Sequence, residues 1–506
     1  MLPNIVLCHI LSFSKPRRWR FMLLHEVYSE FSLNQLNVSS TTKPCRFERN
    51  EACELDFYQD CLGIGQKAFM QSSLNEYISK MLSVDRLSAL PDEVICHILS
   101  FLSTEISVQT SILARRWRFL WAHVPNLELD SKYHNSVMSF SSTINKVMLI
   151  RKEQNINTFS ISCEDFECDE YELETLISSA YQCNVQDLYL DLNFDLLGRL
   201  PQCLFTNKTL VDLSLHSCCI GIPSIGDVSL PSLKYLFLCS IEYESDEALP
   251  HLLSGCPVLE EFIVEKIVGR DLYCFYISSP TIKRLSINLH IDDSEHGRLK
   301  INAPRLGYLF ICNCSYDQIS LSPMPYLTEA HIHINIFPFE VDDYVYTGAM
   351  LKFIDSLCNV KCLKLLNTFA EFLELGLPGS YVRFSNLIRL ELTADWLYIP
   401  KFLESAKNLE VLVINKVTEE LQNWIEPNKK RCACLLSSLK TVTIFEFGCA
   451  EPELNMVRYL LRNAQVLKKM EIYCQSYDIS LETKSNVLQN ISLSHRGSKE
   501  CVVTFT

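Results

Sequence analysis

Glycine is scarce in this chain, at 14 of 506 residues. Loops that cradle phosphates need clustered glycines, and the sequence has no glycine-rich phosphate loop, no HExxH motif and no GxSxG motif. Paired carboxylates in a recognisable catalytic frame are also missing. The sequence therefore predicts a protein that is not an enzyme and that uses no cofactor.

Basic charge and long apolar runs are lacking as well. The formal net charge is −14 at pH 7, whereas nucleic-acid binding needs a basic face. No apolar run approaches the length of about 18 residues that a membrane span needs, and no basic stretch precedes the first apolar segment. We therefore expect no nucleic-acid partner and no membrane span. The expected location is inside the cell, in the nucleus, the cytoplasm or both.

Cysteine, by contrast, is abundant at 23 residues, which raises the alternatives of a disulfide framework and a zinc site. However, no CxxC pair occurs, and close pairs such as Cys312–Cys314 have spacings that suit structural zinc poorly. His331 and His333 share one face of a predicted strand, but the pattern supplies no third ligand. We expect scattered, buried thiols and no metal.

Residues 85–130 contain a short, strongly apolar helical region. Pro91 suits the first turn of a helix, and Asp92 and Glu93 follow at the positive end of its dipole. Apolar residues then recur on a face wider than one packing stripe needs, and a second short helix and a tryptophan-rich segment follow. About 45 residues cannot bury so much apolar surface alone. Either these helices close on themselves or a neighbouring domain, or part of the surface is left for a partner.

The string LPDEVICHILSFL, followed by RRWRFLW and VPNL, resembles the F-box of plant F-box proteins. The resemblance implies a three-helix module that docks on the Skp-type adaptor of a cullin–RING ubiquitin ligase. Where family members often have Pro-Thr-Lys after the Phe-Leu, this chain has Ser103, Thr104 and Glu105. Carried over by position, the resemblance implies adaptor contacts from Leu90, Pro91, Ile95, Ile98, Leu99, Leu102, Trp117, Leu120 and Trp121.

A damaged version of the same region stands at the start of the chain, as LPNIVLCHILSF at 2–13 and RRWRF at 17–21. About ten residues are missing between its two strings, which removes most of the second helix, and Asn4 and Ile5 replace the two acids of the helix start. We expect residues 1–80 to be a degenerate partial copy with a poorly packed extension. It is either a decayed duplication or an error in the predicted coding sequence.

From about residue 156 a pattern of the form LxxLxL repeats at intervals of about 21 to 33 residues. Examples are TLVDLSL at 209–215, SLKYLFL at 232–238 and NLEVLVI at 408–414. Each copy predicts a short strand that cannot bury its apolar side alone, so that stacked units build one continuous core. Between the strands, segments such as 245–257 have helical spacing. The predicted fold is an α/β solenoid, a leucine-rich-repeat array preceded by the small helical module.

The repeats also resemble those of plant F-box proteins, most clearly in DEALPHLLSGCPVLEEFIVE at 246–265. The last part of the chain, with SSLKTVTIFEF and EPELNMVRYLLRNAQVLKKMEIYC, resembles the FBD module of one such subfamily. We expect it to cap the last repeat. The expected organisation is a degenerate copy and extension at 1–80, an F-box at 81–130, leucine-rich repeats at 131–430 and an FBD-like cap at 431–506.

Residues that alternate with the repeat leucines are expected to line the concave face of the array. Aromatic side chains on a mainly acidic background suit protein recognition, although loops of the array could cover some of them. The candidate substrate-binding residues are Tyr189, Tyr235, Phe237, Glu261, Tyr308, Phe310, His331, His333, Arg389 and Glu391.

An F-box followed by a long repeat array implies a substrate-recognition adaptor of an SCF-type (Skp–cullin–F-box) ubiquitin ligase, which binds a target protein through the repeats. The alternative is a ligase-independent binding scaffold with a vestigial F-box. A small-molecule receptor is disfavoured because the concave positions supply few cations for a polar pocket.

Overall fold

The computed structural model describes residues 90–133, 137–151, 156–163, 170–192, 200–221, 228–267, 274–289, 298–312, 318–333, 352–366, 383–393, 399–415, 432–474 and 481–506. The degenerate copy predicted within residues 1–80 lies outside the described residues. The chain divides into two compact units, with the boundary between Leu127 and Glu128.

The first unit contains the predicted F-box. Helix α1 spans Asp92–Leu99 and helix α2 spans Thr104–Gln109. Two 3-10 helices follow α2, at Thr110–Ile112 and at Arg115–His123. The tryptophan-rich third segment is therefore a 3-10 helix, although its apolar spacing is typical of an ordinary helix.

The second unit is built on parallel strands with helices between them. Its helices are α3 (Val137–Arg151), α4 (Glu170–Gln182), α5 (Ala248–Ser254), α6 (Ile399–Ser405), α7 (Ala433–Ser437), α8 (Glu451–Asn463) and α9 (Leu481–Leu493). Further 3-10 turns are Ser131–Tyr133 and Gln202–Thr206, and a helical turn covers 352–356. No helix in the described ranges is long and apolar enough to cross a membrane.

The strands follow the predicted repeat pattern. In chain order they are β1 (Asn126–Asp130), β2 (Thr158–Cys163), β3 (Asp187–Leu192), β4 (Asp212–Ile220), β5 (Tyr235–Tyr243), β6 (Glu261–Ile267), β7 (Cys274–Ser278), β8 (Arg284–Asn288) and β9 (Arg298–Asn302). They continue with β10 (Tyr308–Cys312), β11 (Gln318–Leu321), β12 (Glu329–His333), β13 (Cys362–Leu366), β14 (Arg389–Thr393), β15 (Val411–Asn415), β16 (Thr441–Phe447), β17 (Lys469–Cys474) and β18 (Val502–Phe505).

Fifteen of these strands form one sheet in the order β1-β2-β3-β4-β5-β6-β8-β10-β12-β13-β14-β15-β16-β17-β18. The pairs from β2 to β18 are parallel, as expected when each repeat returns the chain through a connection before the next strand begins. The strands β11, β9 and β7 form a separate three-stranded sheet. This arrangement confirms the predicted α/β solenoid.

The repeat leucines build the core because the strand register aligns them. One row passes through Leu213, Leu236 and Phe262 on three neighbouring strands, and a second through Leu215 and Leu238. All five side chains are fully buried. The rows continue along the sheet, so that a strand that could not bury its apolar side alone shares one interior with its neighbours.

The FBD-like segment closes this core. In α8, residues Leu454, Met456, Val457, Leu460 and Leu461 are buried, and the helix precedes the last two strands of the sheet. The buried carboxylate of Glu453 accepts a hydrogen bond from the backbone N–H of Ala450 at 2.9 Å, which satisfies a donor at the helix start.

Gly255 offers a test of how closely the repeats pack. A Cβ at this position, which ends α5, would clash with the side chain of Val228 and lie 2.6 Å from the Val228 carbonyl oxygen. Replacement of Gly255 by alanine should therefore lower the free energy of unfolding by about 1–3 kcal/mol. The matched control is Gly307→Ala, whose Cβ would lie 3.7 Å from its nearest neighbour, the carbonyl oxygen of Lys283. Chemical denaturation of both variants measures the difference, and equal denaturation midpoints would contradict the expectation.

Candidate protein-binding surfaces

The first helix of the F-box is fixed at its start by the third segment. Arg116 forms an ion pair with Asp92 at 2.6 Å, and both side chains are largely exposed. Such exposed pairs contribute little stability, about 0–1 kcal/mol, so this contact orients the segment rather than holding the module together.

The second helix begins with a cap supplied by the residue that differs from the common family pattern. The Ser103 hydroxyl accepts a hydrogen bond from the Ile106 N–H at 3.4 Å, as an N-cap residue does. The buried Ser107 hydroxyl then donates to the carbonyl oxygen of Leu99 at 3.1 Å, which ties α2 to the end of α1. The departure at Ser103 to Glu105 is therefore compatible with a formed second helix.

Five of the nine residues expected to contact the adaptor lie inside the F-box itself. Their side chains are at most 7% exposed and form the interior of the module: Ile95, Leu99, Trp117, Leu120 and Trp121. A buried side chain offers almost no area to a partner, so what these five side chains do in this structure is to hold the helices of the module together. The other four, Leu90, Pro91, Ile98 and Leu102, remain at least partly exposed.

The apolar surface of the F-box comes instead from residues that sequence reasoning did not select. Ile112 is 86% exposed and Phe119 is 55% exposed, and four further apolar residues are between 39% and 49% exposed. We call this set the apolar patch: Val94, Phe101, Ile106, Ile112, Leu113 and Phe119. The signal for it was present in the sequence, since the module has more apolar positions than one interior can take.

In the repeat unit, the candidate residues occupy one face of the large sheet, which we call the open face. They alternate with the core rows, and the strand register joins them into rows that cross the sheet. One row contains Tyr235, Glu261, Arg284 and Tyr308, and the next contains Phe237, Phe310, His331, Lys364 and Glu391. All ten predicted residues lie on this face.

Their exposure differs widely. Phe237, Phe310, Tyr235 and His333 are between 2% and 9% exposed, so that these predicted contacts lie mostly beneath the surface. Tyr189, Glu261, Tyr308, His331 and Glu391 are half-buried, and Arg389 is exposed. The aromatic anchors that sequence reasoning favoured are thus largely covered in the molecule.

The early strands hold an aromatic cluster in which a histidine was not predicted. The His216 ring lies between Tyr189 and Phe237, with centroid distances of 4.8 and 4.9 Å. Burial lowers the pKa of His216 to about 4, so the imidazole is neutral at cellular pH. Alternation along β4 places His216 on the same face as Ser214, which was the signal available in the sequence.

The central strands carry a mixed aromatic and charged cluster. The Arg284 guanidinium lies over the Tyr308 ring, 4.2 Å from its centroid, and its Nε is 3.6 Å from Glu261. An arginine that stacks on a ring beside a carboxylate of opposite charge is in a favourable arrangement for this side chain.

Beyond this cluster, carboxylates of the open face pair with lysine, arginine or histidine side chains. Glu391 pairs with Lys364 at 2.9 Å and with Arg389 at 4.0 Å, and Glu329 pairs with His331 at 3.0 Å. Burial lowers the pKa of His331, although the Glu329 carboxylate opposes this shift.

The predicted histidine pair does not form a ligand set in the described part of the chain. The Nδ1 atom of His333 lies 3.1 Å from the Cys312 thiol, while His331 contacts Glu329. In the same part of the chain, no group of three or more His, Cys, Asp or Glu side chains is placed to hold a metal ion. The described cysteines form no disulfide bond.

Comparison with known proteins agrees with the three parts of this architecture. A family model described as "F-box domain" matches residues 87–129, and one described as "FBD-associated F-box protein At5g56370, LRR repeats" matches residues 173–375. A model described as "FBD" matches residues 426–472. The three matches fall in the same order as the parts inferred from the sequence.

Similar proteins are found in Arabidopsis thaliana. The F-box/FBD/LRR-repeat protein At3g52680 is 32% identical over 455 residues, which is 85% of this chain and 94% of that protein. The F-box/LRR-repeat protein At4g14096 is 30% identical over 448 residues, covering 83% of this chain and 94% of that protein. The putative FBD-associated F-box protein At5g56440 is 30% identical over 455 residues, covering 84% of this chain and all of that protein, 100%.

Proposed function

Because the chain belongs to the plant family of F-box/LRR-repeat proteins that carry an FBD module, we propose that it is a substrate-recognition adaptor of an SCF-type ubiquitin ligase. Its F-box would dock on a Skp-type adaptor and, through it, on the cullin–RING ligase. Its repeats would hold a target protein for ubiquitination. F-box/LRR proteins are typically non-enzymatic adaptors, so the transfer chemistry would belong to the associated ligase subunits.

The observation that carries this proposal is the apolar patch of the F-box. Its six side chains are between 39% and 86% exposed in a module of about 45 residues. Burial of one such side chain against a partner contributes about 1.5–3 kcal/mol. Exposure of several in so small a module is hard to explain without a partner that covers them.

The repeat unit supports the second half of the proposal. The open face of its 15-stranded sheet presents charged and aromatic residues from successive repeats, among them Arg389, Tyr308 and Glu391. Side chains of this kind on a rigid surface suit the recognition of another protein. An adaptor of this type works by positioning, because holding the target near the ubiquitin donor raises the effective concentration of its lysines. This proposal places the chain in the nucleus, the cytoplasm or both.

Proximity labelling in plant cells, with and without a proteasome inhibitor, would test the proposed function. With the parent chain, we expect one or more labelled proteins to become more abundant when the proteasome is inhibited. The variant Ile112→Glu should label the same proteins, but their abundance should not respond to the inhibitor, because the target is held without a ligase. Unchanged partner abundance with the parent chain would contradict the proposal and favour a ligase-independent scaffold.

A further inference from the structure

The closing module presents two aromatic rings side by side on the open face. Phe445 of β16 and Tyr473 of β17 stack with a centroid distance of 4.9 Å and an interplanar angle of 12°. Each side chain remains 38% exposed, whereas the aromatic residues of the earlier strands named above are largely covered. This pair, which we call the ring pair, is therefore the most exposed of the aromatic side chains named on the open face.

A bulge in β16 follows Phe445 and adds a second exposed side chain after it in the chain. The register of β16 against β17 shifts between Ile444 and Phe447, both of which are buried, so that one extra residue is inserted between two core positions. Phe445 keeps its alternating place after Ile444, whereas Glu446 is exposed as well because of the inserted residue and takes a left-handed backbone conformation with φ of 55°. Bulges redirect side chains, and this one exposes the carboxylate of Glu446, which follows Phe445 in the chain.

The ring pair is held in place before any partner arrives. The Tyr473 hydroxyl donates to Glu471 at 3.4 Å, and Glu471 is bound by Lys469 at 2.8 Å. This hydrogen bond from Lys469 lowers the pKa of Glu471, so that the carboxylate is charged at cellular pH. In the same region, the thiols of Cys449 and Cys474 are in contact at 3.9 Å and join the segment after the bulge to the end of β17. A binding surface that is already ordered loses little entropy when it binds.

The size of the exposed ring surface limits what can bind there. A phenylalanine or tyrosine side chain presents about 150–250 Å², so 38% of two such side chains amounts to roughly 150 Å². A stable protein interface buries about 800 Å² on each partner. The ring pair can thus anchor one long side chain of a partner, within a larger contact, but it is too small for an apolar docking surface of its own.

Charge indicates which side chain fits. Glu471 accepts a hydrogen bond from Tyr473 and pairs with Lys469, and the exposed Glu446 follows Phe445 directly in the chain. The same combination occurs inside this chain at β8 and β10, where Arg284 lies over Tyr308 and reaches Glu261. A planar guanidinium can stack on a ring and donate to a carboxylate at the same time, which an ammonium group does less well.

We propose that the ring pair, with Glu446 and Glu471, binds an arginine of an extended, basic segment in the partner protein. The proposal deepens the proposed function, because it assigns a class of target segment to the open face. It also gives the FBD-like module a direct part in recognition besides closing the core.

The test measures peptide binding by the full chain, by fluorescence anisotropy. The probe is a fluorescein-labelled peptide of five Arg-Ser repeats, and its matched control replaces each arginine by citrulline, which keeps the shape and removes the charge. We expect the arginine peptide to bind at least about tenfold more tightly than the citrulline peptide, and a lysine peptide to fall between them.

Variants connect this binding to the ring pair. Tyr473→Ala and Glu446→Lys should each weaken binding of the arginine peptide by about five- to tenfold. The control Glu482→Lys makes the same charge change at an exposed position of α9 and should stay within about twofold. Three results would each overturn the proposal. They are equal binding of the arginine and citrulline peptides, equal loss of binding in Glu446→Lys and Glu482→Lys, and no binding of any peptide.

Failure of this proposal can be distinguished from failure of the proposed function. Capture of a Skp-type adaptor by the Tyr473→Ala variant should equal that of the parent chain, because the ring pair lies in the repeat unit and the apolar patch in the other unit. If the parent chain bound no peptide but captured the adaptor, only the ring-pair proposal would fail and the proposed function would stand. Intact peptide binding in a chain that captures no adaptor would refute the ligase role and leave the basic-segment site standing.

Discussion

Replacement of Ile112 by glutamate is expected to abolish capture of a Skp-type adaptor while the F-box stays folded. Ile112 is 86% exposed, so the change removes almost no internal contact. In a complex with the adaptor, however, the change would remove about 2 kcal/mol of binding free energy from apolar burial. It would also add the cost of placing a carboxylate in an apolar contact. Together these effects should weaken binding by a factor of about 100 or more. Calorimetry with purified adaptor measures the affinity, and circular dichroism with thermal unfolding checks the fold.

Two further variants separate docking from folding. Leu149→Glu makes the same kind of change at a 71% exposed position of α3, in the other unit, and should leave adaptor binding unchanged. Trp117→Ala should also lose adaptor binding, but through the fold, because Trp117 is 4% exposed and its truncation costs about 3–5 kcal/mol. Its thermal transition should therefore fall, whereas that of Ile112→Glu should not. If Ile112→Glu bound the adaptor with an affinity within twofold of the parent chain, the adaptor would not dock on the apolar patch.

The difference between Ile112 and Trp117 shows where sequence reasoning reaches its limit in the F-box. Spacing and resemblance identify the module and its apolar residues. They do not tell which apolar residues face inward, because the helices are short and apolar on more than one side. The inward set depends on how the third segment packs, and that segment, for which the F-box resemblance implied a third helix, forms a 3-10 helix.

In the repeats, the sequence predicts the core residues better than it predicts the exposure of residues on the open face. Alternation along a strand is strict, so residues such as Leu213 and Leu236 could be assigned to the interior, where both are fully buried. The same alternation places Phe237 on the open face but cannot reveal that it is 2% exposed, because coverage depends on neighbouring side chains and connections. Phe445 follows the core residue Ile444 and so keeps the alternation, but the bulge that adds the exposed Glu446 after it departs from that pattern.

Replacement of Leu460 by aspartate is expected to disrupt more than the helix that carries it. Leu460 is fully buried in α8, so the change leaves a cavity and places a carboxylate in an apolar interior. The expected loss in free energy of unfolding is at least about 4 kcal/mol. The matched control is Leu488→Asp in α9, where the leucine is 46% exposed and the expected loss is below about 1 kcal/mol. Denaturant unfolding of both variants measures the difference.

The position of this loss along the sheet tests whether the closing module is a cap. β17 pairs with β16, with one register shift between Ile444 and Phe447, and β18 pairs with β17. Val442 and Ile444 of β16 are fully buried. When α8 no longer covers the end of the core, neighbouring strands should lose protection first, because each repeat is stabilised by the next. Hydrogen exchange of Leu460→Asp should therefore be fastest at β15–β17 and slower towards β3, with the F-box helices unchanged. Equal loss of protection along the whole sheet would indicate one indivisible unit, and loss confined to α8 would show that the last repeats need no cap.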